Sequence, residues 1–146
     1  MIPKFRAWDS SKKEMFKDTF AITESGQVVI VEQGFVTDTP EYVFVDNLVI
    51  MQSTGLKDLN GIEIFEGDIL ETQGARMVVK FGSYNYIEPS NSGCGAMDYM
   101  YDGLGFYVEL INVVFLDGIS PFEPETLKES VVIGNRFENP EFLKEV

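Results

Sequence analysis

Short apolar runs, separated by glycine, asparagine, aspartate or proline, constrain the fold of this chain more than any other feature. Val, Ile, Phe and Tyr dominate these runs, and apolar and polar residues alternate within several of them. A period of two is that of a β-strand with one buried face, and such short runs rarely form helices. The pattern therefore predicts a mainly β protein.

The N-terminal part has the pattern of a β-hairpin followed by further strands. Residues 2–8 alternate, and Asp9-Ser10-Ser11 is a typical turn sequence, so residues 14–20 are expected to pair back on residues 2–8. Three more short strands are expected before residue 54. They are Val28–Val31, Tyr42–Val45 and Leu48–Met51.

The middle of the chain is the most regular part. Turns are predicted at Asn60-Gly61, at Glu66-Gly67-Asp68 and at Gln73-Gly74. Five short strands with glycine at the corners are typical of a small closed sheet, so we expect a Src-homology-3-like barrel around residues 62–118. Its strands are expected within residues 62–65, 69–72, 77–81, 106–110 and 113–116.

The C-terminal part combines a last strand with short helical segments. Residues 124–129 are expected to form a helical turn and Ser130–Ile133 a strand, and Asn139-Pro140-Glu141 has the pattern of an N-cap that starts a short helix. We expect a β-rich α+β fold in one domain, residues 1–146. Its subdomains are predicted as residues 1–54, 55–118 and 119–146.

Residues 82–104 interrupt the predicted barrel with glycine, serine and asparagine, and we expect a long loop there. Its four tyrosines, Tyr84, Tyr86, Tyr99 and Tyr101, provide large and fairly rigid contact area with a polar tip. They are the candidate partner-binding residues. Packing of these rings onto the barrel is the alternative, and the residues leave both interpretations open.

The residue counts exclude several classes of chemistry. The chain has no histidine and one cysteine, Cys94, which excludes serine-histidine triads, histidine-ligated zinc and an internal disulfide. Neither a phosphate-binding glycine loop nor an acid-x-lysine pair is present. The cluster Glu63, Glu66, Asp68 and Glu71 is better explained by a turn and solvated faces than by a metal. We therefore expect no enzyme activity, no cofactor and no metal.

The charge distribution bears on the partners. Eleven basic against 24 acidic residues give a net charge of −13, which repels nucleic acid at long range. Residues 1–17 are the basic exception. A solvated strand and turn explains them, and a phosphate-contacting arm is the alternative. The side chains of that arm would be Lys4, Arg6, Lys12 and Lys13.

Three blocks together resemble the YopX family. They are the start MIPKFRAWD with the Lys-Lys-Glu-Met turn, the centre Gln52–Asp58 with Asn60–Ile69, and the closing Val132–Pro140. The resemblance implies a β-rich protein of bacteriophages and prophages. It supplies no catalytic residue, because the biochemical role of the family is not established.

We therefore expect a phage or prophage accessory protein that acts as a non-enzymatic interaction factor. Its partner would be a host or phage protein, and one form of the hypothesis is a mimic of nucleic-acid charge. The alternative is a weak nucleic-acid-associated module in phage replication or recombination. The protein could also form a homo-oligomer, and the sequence leaves its oligomeric state open. The apolar stretches are too short for a spanning helix and the start lacks the core of a secretory signal, so we expect the bacterial cytoplasm.

Overall fold

The computed structural model describes residues 2–32, 37, 39–88, 99–111, 119–121 and 124–144. The chain divides into two compact units, Met1–Ser53 and Thr54–Val146. The mainly β prediction is confirmed. The predicted division into three subdomains stays a prediction. No helix in the described part of the chain is long and apolar enough to span a bilayer.

Two antiparallel groups of strands make up the first unit. In one, β1 pairs with β2 and with the first half of β6. In the other, β4 lies between β3 and β5. The predicted N-terminal hairpin and the three later strands are thus confirmed, and Phe20–Ile22 is a separate strand. The strands are β1 (Phe5–Asp9), β2 (Glu14–Phe16), β3 (Phe20–Ile22), β4 (Val28–Glu32), β5 (Glu41–Val45) and β6 (Leu48–Lys57).

A five-stranded, curled half-barrel sheet forms the second unit, in the order β11-β10-β9-β8-β12. All the pairings within it are antiparallel. The short strand β7 pairs with β6. These strands are β7 (Glu63–Phe65), β8 (Asp68–Thr72), β9 (Ala75–Glu88), β10 (Tyr99–Leu110), β11 (Ile119–Pro121) and β12 (Val131–Asn135).

The core of the second unit lies on one face of this sheet. Ile64, Leu70 and Val79 are fully buried there. Leu127, at the end of helix α1 (Pro124–Leu127), packs into the same cluster. The remaining members of the cluster come from the two longest strands. They are Met77 and Val108.

The glycine turns of the middle region are confirmed. Gly61 and Gly67 have φ of +80° and +86°, and Gln73-Gly74 joins β8 to β9 with φ of +48° and +81°. Glycine adopts this left-handed region without a steric penalty. These corners can therefore be predicted from the local sequence alone.

The prediction of a loop at residues 82–104 is wrong for most of that segment. Strand β9 continues to Glu88 and β10 begins at Tyr99, and the two pair in continuous register from Tyr99–Glu88 to Leu110–Met77. The loop is predicted there because serine, asparagine and glycine usually interrupt strands. The alternation of Tyr84 with Tyr86 and of Tyr99 with Tyr101 is nevertheless a strand pattern. Cys94 and residues 113–116 lie outside the described residues.

The C-terminal strand and helical turns are confirmed, with one change of role. A 3-10 helix, Pro140–Leu143, starts where the Asn-Pro pattern predicts. The side chain of Asn139 makes no capping hydrogen bond to it. Instead its Oδ1 accepts a hydrogen bond from the backbone N–H of Asn135 at 3.3 Å, so Asn139 fixes the strand end before it.

Candidate functional site

The longest hairpin of the sheet extends past its neighbouring strands. Pairing of β8 with β9 ends at Val78, and pairing of β11 with β10 is recorded from Tyr107 onward. Within the described residues, β9 and β10 continue beyond these positions as a two-stranded ribbon. We define the hairpin arm as residues 82–88 and 99–105.

One face of this hairpin carries a continuous row of tyrosine rings. Tyr86 lies directly opposite Tyr101, and their rings stack at 5.3 Å with an interplanar angle of 22°. Tyr84 stacks on Tyr107 at 4.8 Å and contacts Tyr86 at 5.9 Å, and Tyr99 extends the row beyond Tyr101 at 6.3 Å. The four candidate residues are thus brought together, with Tyr107 as a fifth that the sequence analysis missed. We call these five rings the tyrosine row.

A glycine on the same face makes room for the row. A Cβ at Gly103 would lie 2.2 Å from Cζ of Tyr84, so the ring of Tyr84 occupies the space above Gly103. Gly82 and Gly105 face each other in register, with φ of +150° and +139°. A Cβ at either of these two positions would meet no atom within 4 Å, so the space for the ring of Tyr84 comes from Gly103.

The exposed fraction of the rings differs along the row. Tyr84, Tyr86 and Tyr107 are half-buried, while Tyr99 and Tyr101 are 61% and 40% exposed. Packing thus accounts for the inner rings, and partner binding by the outer rings stays a prediction. A two-stranded ribbon is only marginally stable by itself, and packing of the inner rings stabilises it. The outer rings face solvent.

The opposite face of the hairpin is apolar as well. Phe81 packs edge-to-face on Phe106 at 4.9 Å. Further along the arm, Leu104 and Met100 are 80% and 70% exposed. A contiguous apolar patch marks an interaction site, whereas single exposed apolar side chains are common on protein surfaces.

A cavity of about 290 Å³ lies at the base of the hairpin, on the face that carries the tyrosine row. Its charged lining consists of Arg136 and the ion pair between Lys80 Nζ and Glu109 Oε2 at 2.5 Å. Lys80 lies opposite Tyr107, so the cavity adjoins the inner end of the row. The apolar lining residues are Val78, Leu110, Ile111 and Leu143.

The closing sequence block positions Arg136 at this cavity. The Oδ1 atom of Asn135 accepts hydrogen bonds from the backbone N–H groups of Phe137 and Glu138 at 3.0 and 2.8 Å. The backbone N–H of Arg136 donates to the carbonyl of Gly67 at 2.9 Å. Its guanidinium lies 5.3 Å from the ring centroid of Phe137 and forms no ion pair with a carboxylate in the described part of the chain.

Asp58 is a structural anchor that the sequence analysis missed. Its Oδ1 accepts hydrogen bonds from the N–H groups of Asn60 and Ile62, both at 2.8 Å, and its Oδ2 accepts one from Val132 at 2.9 Å. A single buried carboxylate thus holds the β6–β7 turn against β12. The Asp-x-x-Gly spacing, Asp58 to Gly61, was the available signal.

The other candidate residues do not assemble into a site. Lys4, Lys12 and Lys13 are exposed, but Arg6 is 5% exposed and lies within strand β1, so the proposed basic arm lacks one of its four members. Asp68 is buried and accepts a hydrogen bond from the N–H of Phe65 at 2.8 Å. No group of three or more acidic or cysteine side chains among the described residues is arranged to hold a metal ion.

A family model described as YopX protein matches residues 4–144. The chain belongs to the YopX family. The match covers the tyrosine row, the residues around the cavity and, apart from residues 1–3, the three sequence blocks that predicted this membership.

A solved structure supports the same grouping. Protein EF1440 from Enterococcus faecalis is 31% identical to this YopX protein, with a TM-score of 0.51 over 99% of each chain. No curated protein matches the chain. The YopX family and its mainly β fold are thus established.

Proposed function

We propose that this YopX protein is a non-enzymatic interaction factor that binds another protein through the tyrosine row. The observation that carries the proposal is the alignment of five tyrosine rings, each in contact with a neighbour, on one face of the hairpin, with the outer two exposed. Tyrosine provides contact area at low entropic cost, because its ring has few rotatable bonds. The stacking lowers that cost further, since each ring is held by its neighbours.

The way the rings stack favours a protein partner over nucleic acid. Bases bind aromatic side chains by stacking on an open ring face, usually beside positive charge. Two of the ring contacts in the row are stacked, at 4.8 Å for Tyr84 on Tyr107 and 5.3 Å for Tyr86 on Tyr101, so one face of each of these rings is covered. Fewer ring faces are then open to a base, while the ring edges and hydroxyl groups suit polypeptide contacts. The sequence from residue 82 to residue 105 also has no lysine or arginine.

The biological setting belongs to the same proposal. We place the protein in the cytoplasm of a bacterial host, as a phage or prophage accessory factor that acts on a host or phage protein. The net charge of −13 suits a basic partner, including one whose nucleic-acid site the protein occupies. No catalytic step is assigned.

The experiment is capture of partners on the immobilised full-length protein from infected and uninfected host lysates, with and without nuclease. Tyr101→Ser removes an exposed ring. Gly103→Ala keeps every tyrosine but displaces the ring of Tyr84. We expect a stoichiometric protein that survives nuclease and is lost with both variants. Tyr42→Ser is the matched control, because Tyr42 is 67% exposed on β5, outside the row.

Two results would overturn the proposal. Binding that disappears with nuclease would place the protein on nucleic acid, and charge reversal at Lys4 and Lys12 would then abolish it. A partner lost with Leu104→Ser but retained by Tyr101→Ser would assign the contact to the opposite face of the hairpin. Circular dichroism of each variant separates lost contact from lost fold.

A further inference from the structure

We infer that the cavity beside the tyrosine row binds the carboxyl-terminal residue of the partner polypeptide. This inference rests on the proposed function, because it names which part of the partner the site recognises. Its two requirements are a cation that is available to a carboxylate and an apolar space next to that cation.

Arg136 supplies the cation. The described part of the chain offers its guanidinium the ring of Phe137 and no carboxylate. Most other cations near the sheet are paired: Lys80 with Glu109, and Arg76 with Glu71 at 3.0 Å. A guanidinium binds carboxylate oxygens through two parallel hydrogen bonds, which gives it strength and direction. Arg136 is therefore the group at the cavity that can hold an added anion.

The charge of the lining agrees with an anionic ligand. Among the described lining residues two are positive and one is negative, which gives a formal charge of +1 in a protein of net charge −13. Glu109 is neutralised by Lys80 across the two strands. The net negative charge of the protein repels acidic ligands at long range. The positive charge of the cavity attracts an anion only when the ligand fits into the cavity.

The size and the apolar lining select a terminal residue over other carboxylates. A volume of about 290 Å³ is at the small end of ligand sites, which run from roughly 300 to 1,000 Å³. Such a space suits one residue. The side chain of an aspartate or glutamate would leave the apolar lining of Val78, Ile111 and Leu143 empty. A terminal leucine carries an apolar group and a carboxylate on one residue, and the preceding residues would extend toward Tyr107.

The test uses ¹⁵N-labelled full-length protein titrated with N-acetyl-leucine and, in parallel, with uncharged N-acetyl-leucinamide. We expect amide shifts at Val78, Leu110 and Ile111 with the acid, and affinity for the amide at least about tenfold lower. Arg136→Gln should weaken binding of the acid about tenfold as well. Lys128→Gln is the control, since Lys128 is exposed, lies outside the cavity lining and changes the net charge equally.

Each other outcome overturns the inference in a specific way. No shift with either probe means that the cavity takes no terminal residue. Equal binding of the two probes means that the site is apolar only. An acetylated, amidated Leu-Glu dipeptide that binds as tightly as N-acetyl-leucine means that the cavity recognises an acidic side chain instead of a terminal carboxylate. The titration needs no partner, so its failure would not contradict the capture experiment. Failure of the capture experiment would likewise not change the result of the titration.

Discussion

Gly67 shows how one backbone conformation can be fixed from both sides. Its φ is +86°, its N–H donates to the carbonyl of Val79 at 2.7 Å, and its carbonyl accepts from Arg136 at 2.9 Å. The turn cannot relax without breaking one of these bonds. We expect Gly67→Val to lower the free energy of unfolding by about 1–3 kcal/mol, measured by urea denaturation.

Asparagine provides the control at this position, because it adopts positive φ more readily than other residues. Gly67→Asn should recover part of the loss. A valine variant as stable as the parent protein would show that the turn adapts and would remove the structural explanation of Gly67.

Asp9 makes the N-terminal turn sensitive to acid. The hydrogen bond from the Ser11 hydroxyl at 2.6 Å, helped by the N–H of Lys12, lowers the pKa of Asp9 below its ordinary 3.8. A carboxylate with a lowered pKa adds stability above its unfolded value, and that stability is lost as the pH falls through the folded value. We expect Asp9→Asn to lower Tm at neutral pH, with the difference shrinking below pH 3.8. A difference that does not change with pH would contradict this assignment.

At the scale of elements, a buried carboxylate joins a turn to a distant strand. Asp58 accepts two hydrogen bonds from its own turn and one from Val132, 74 residues later. Asp58→Asn would turn an amide N–H₂ toward at least one of these donors. We expect a loss of about 1–3 kcal/mol, since a buried donor then lacks its acceptor.

Asp46→Asn tests whether charge alone explains that loss, because it removes the same charge from an exposed position outside the turn. We expect it to stay within about 0.5 kcal/mol of the parent protein. Hydrogen exchange provides a second measure. The amide of Val132 should exchange faster in Asp58→Asn, and an unchanged rate would show that the strand does not depend on the carboxylate.

Gly134 and Asn139 connect the last strand to the 3-10 helix by close packing. Gly134 lies in β12 at a register shift, where a Cβ would be 2.4 Å from Oδ1 of Asn139. We expect Gly134→Ala to destabilise the protein by about 1–3 kcal/mol. The same substitution should cost less in an Asn139→Gly background, and equal costs in both backgrounds would exclude the proposed contact.

The turn between β8 and β9 could be predicted from the sequence, whereas the hairpin arm could not. The turn at Gln73-Gly74 can be predicted locally, because glycine readily adopts the left-handed region that the turn requires. The hairpin arm cannot, since Gly103 and Gly105 break a strand pattern unless the facing residue is known. Only the register that places Gly103 opposite Tyr84 turns an apparent loop into a packed ribbon. The tyrosines were found from composition, whereas their order in a row, and Tyr107 within it, required the structure.

For the whole molecule, the sequence predicted the fold class and the family better than it predicted the site. Alternation and glycine corners are local signals, and three blocks sufficed for the family. The cavity joins Val78, Glu109 and Arg136, which are far apart in the chain. The pairing that neutralises Glu109 and leaves Arg136 for a ligand depends on cross-strand register, which no local pattern encodes.

The net charge and the tyrosine row should act on different steps of binding. A charge of −13 acts at long range and steers a basic partner, so it affects the association rate and is screened by salt. Stacked rings act only at contact, so they affect the dissociation rate. With the captured partner in surface plasmon resonance, raising NaCl from about 0.05 to 0.5 M should slow association about tenfold or more. Dissociation should change less than about threefold.

Substitution in the row should give the complementary result. Tyr101→Ser should speed dissociation and leave the salt dependence of association unchanged, while Tyr42→Ser should change neither. A dissociation rate that rises steeply with salt would show that ion pairs hold the complex, as a mimic of nucleic-acid charge requires, and competition by duplex DNA would then confirm it. Association that does not depend on salt would instead show that the net charge does not steer the partner, and recognition would then rest on the tyrosine row and the cavity beside it.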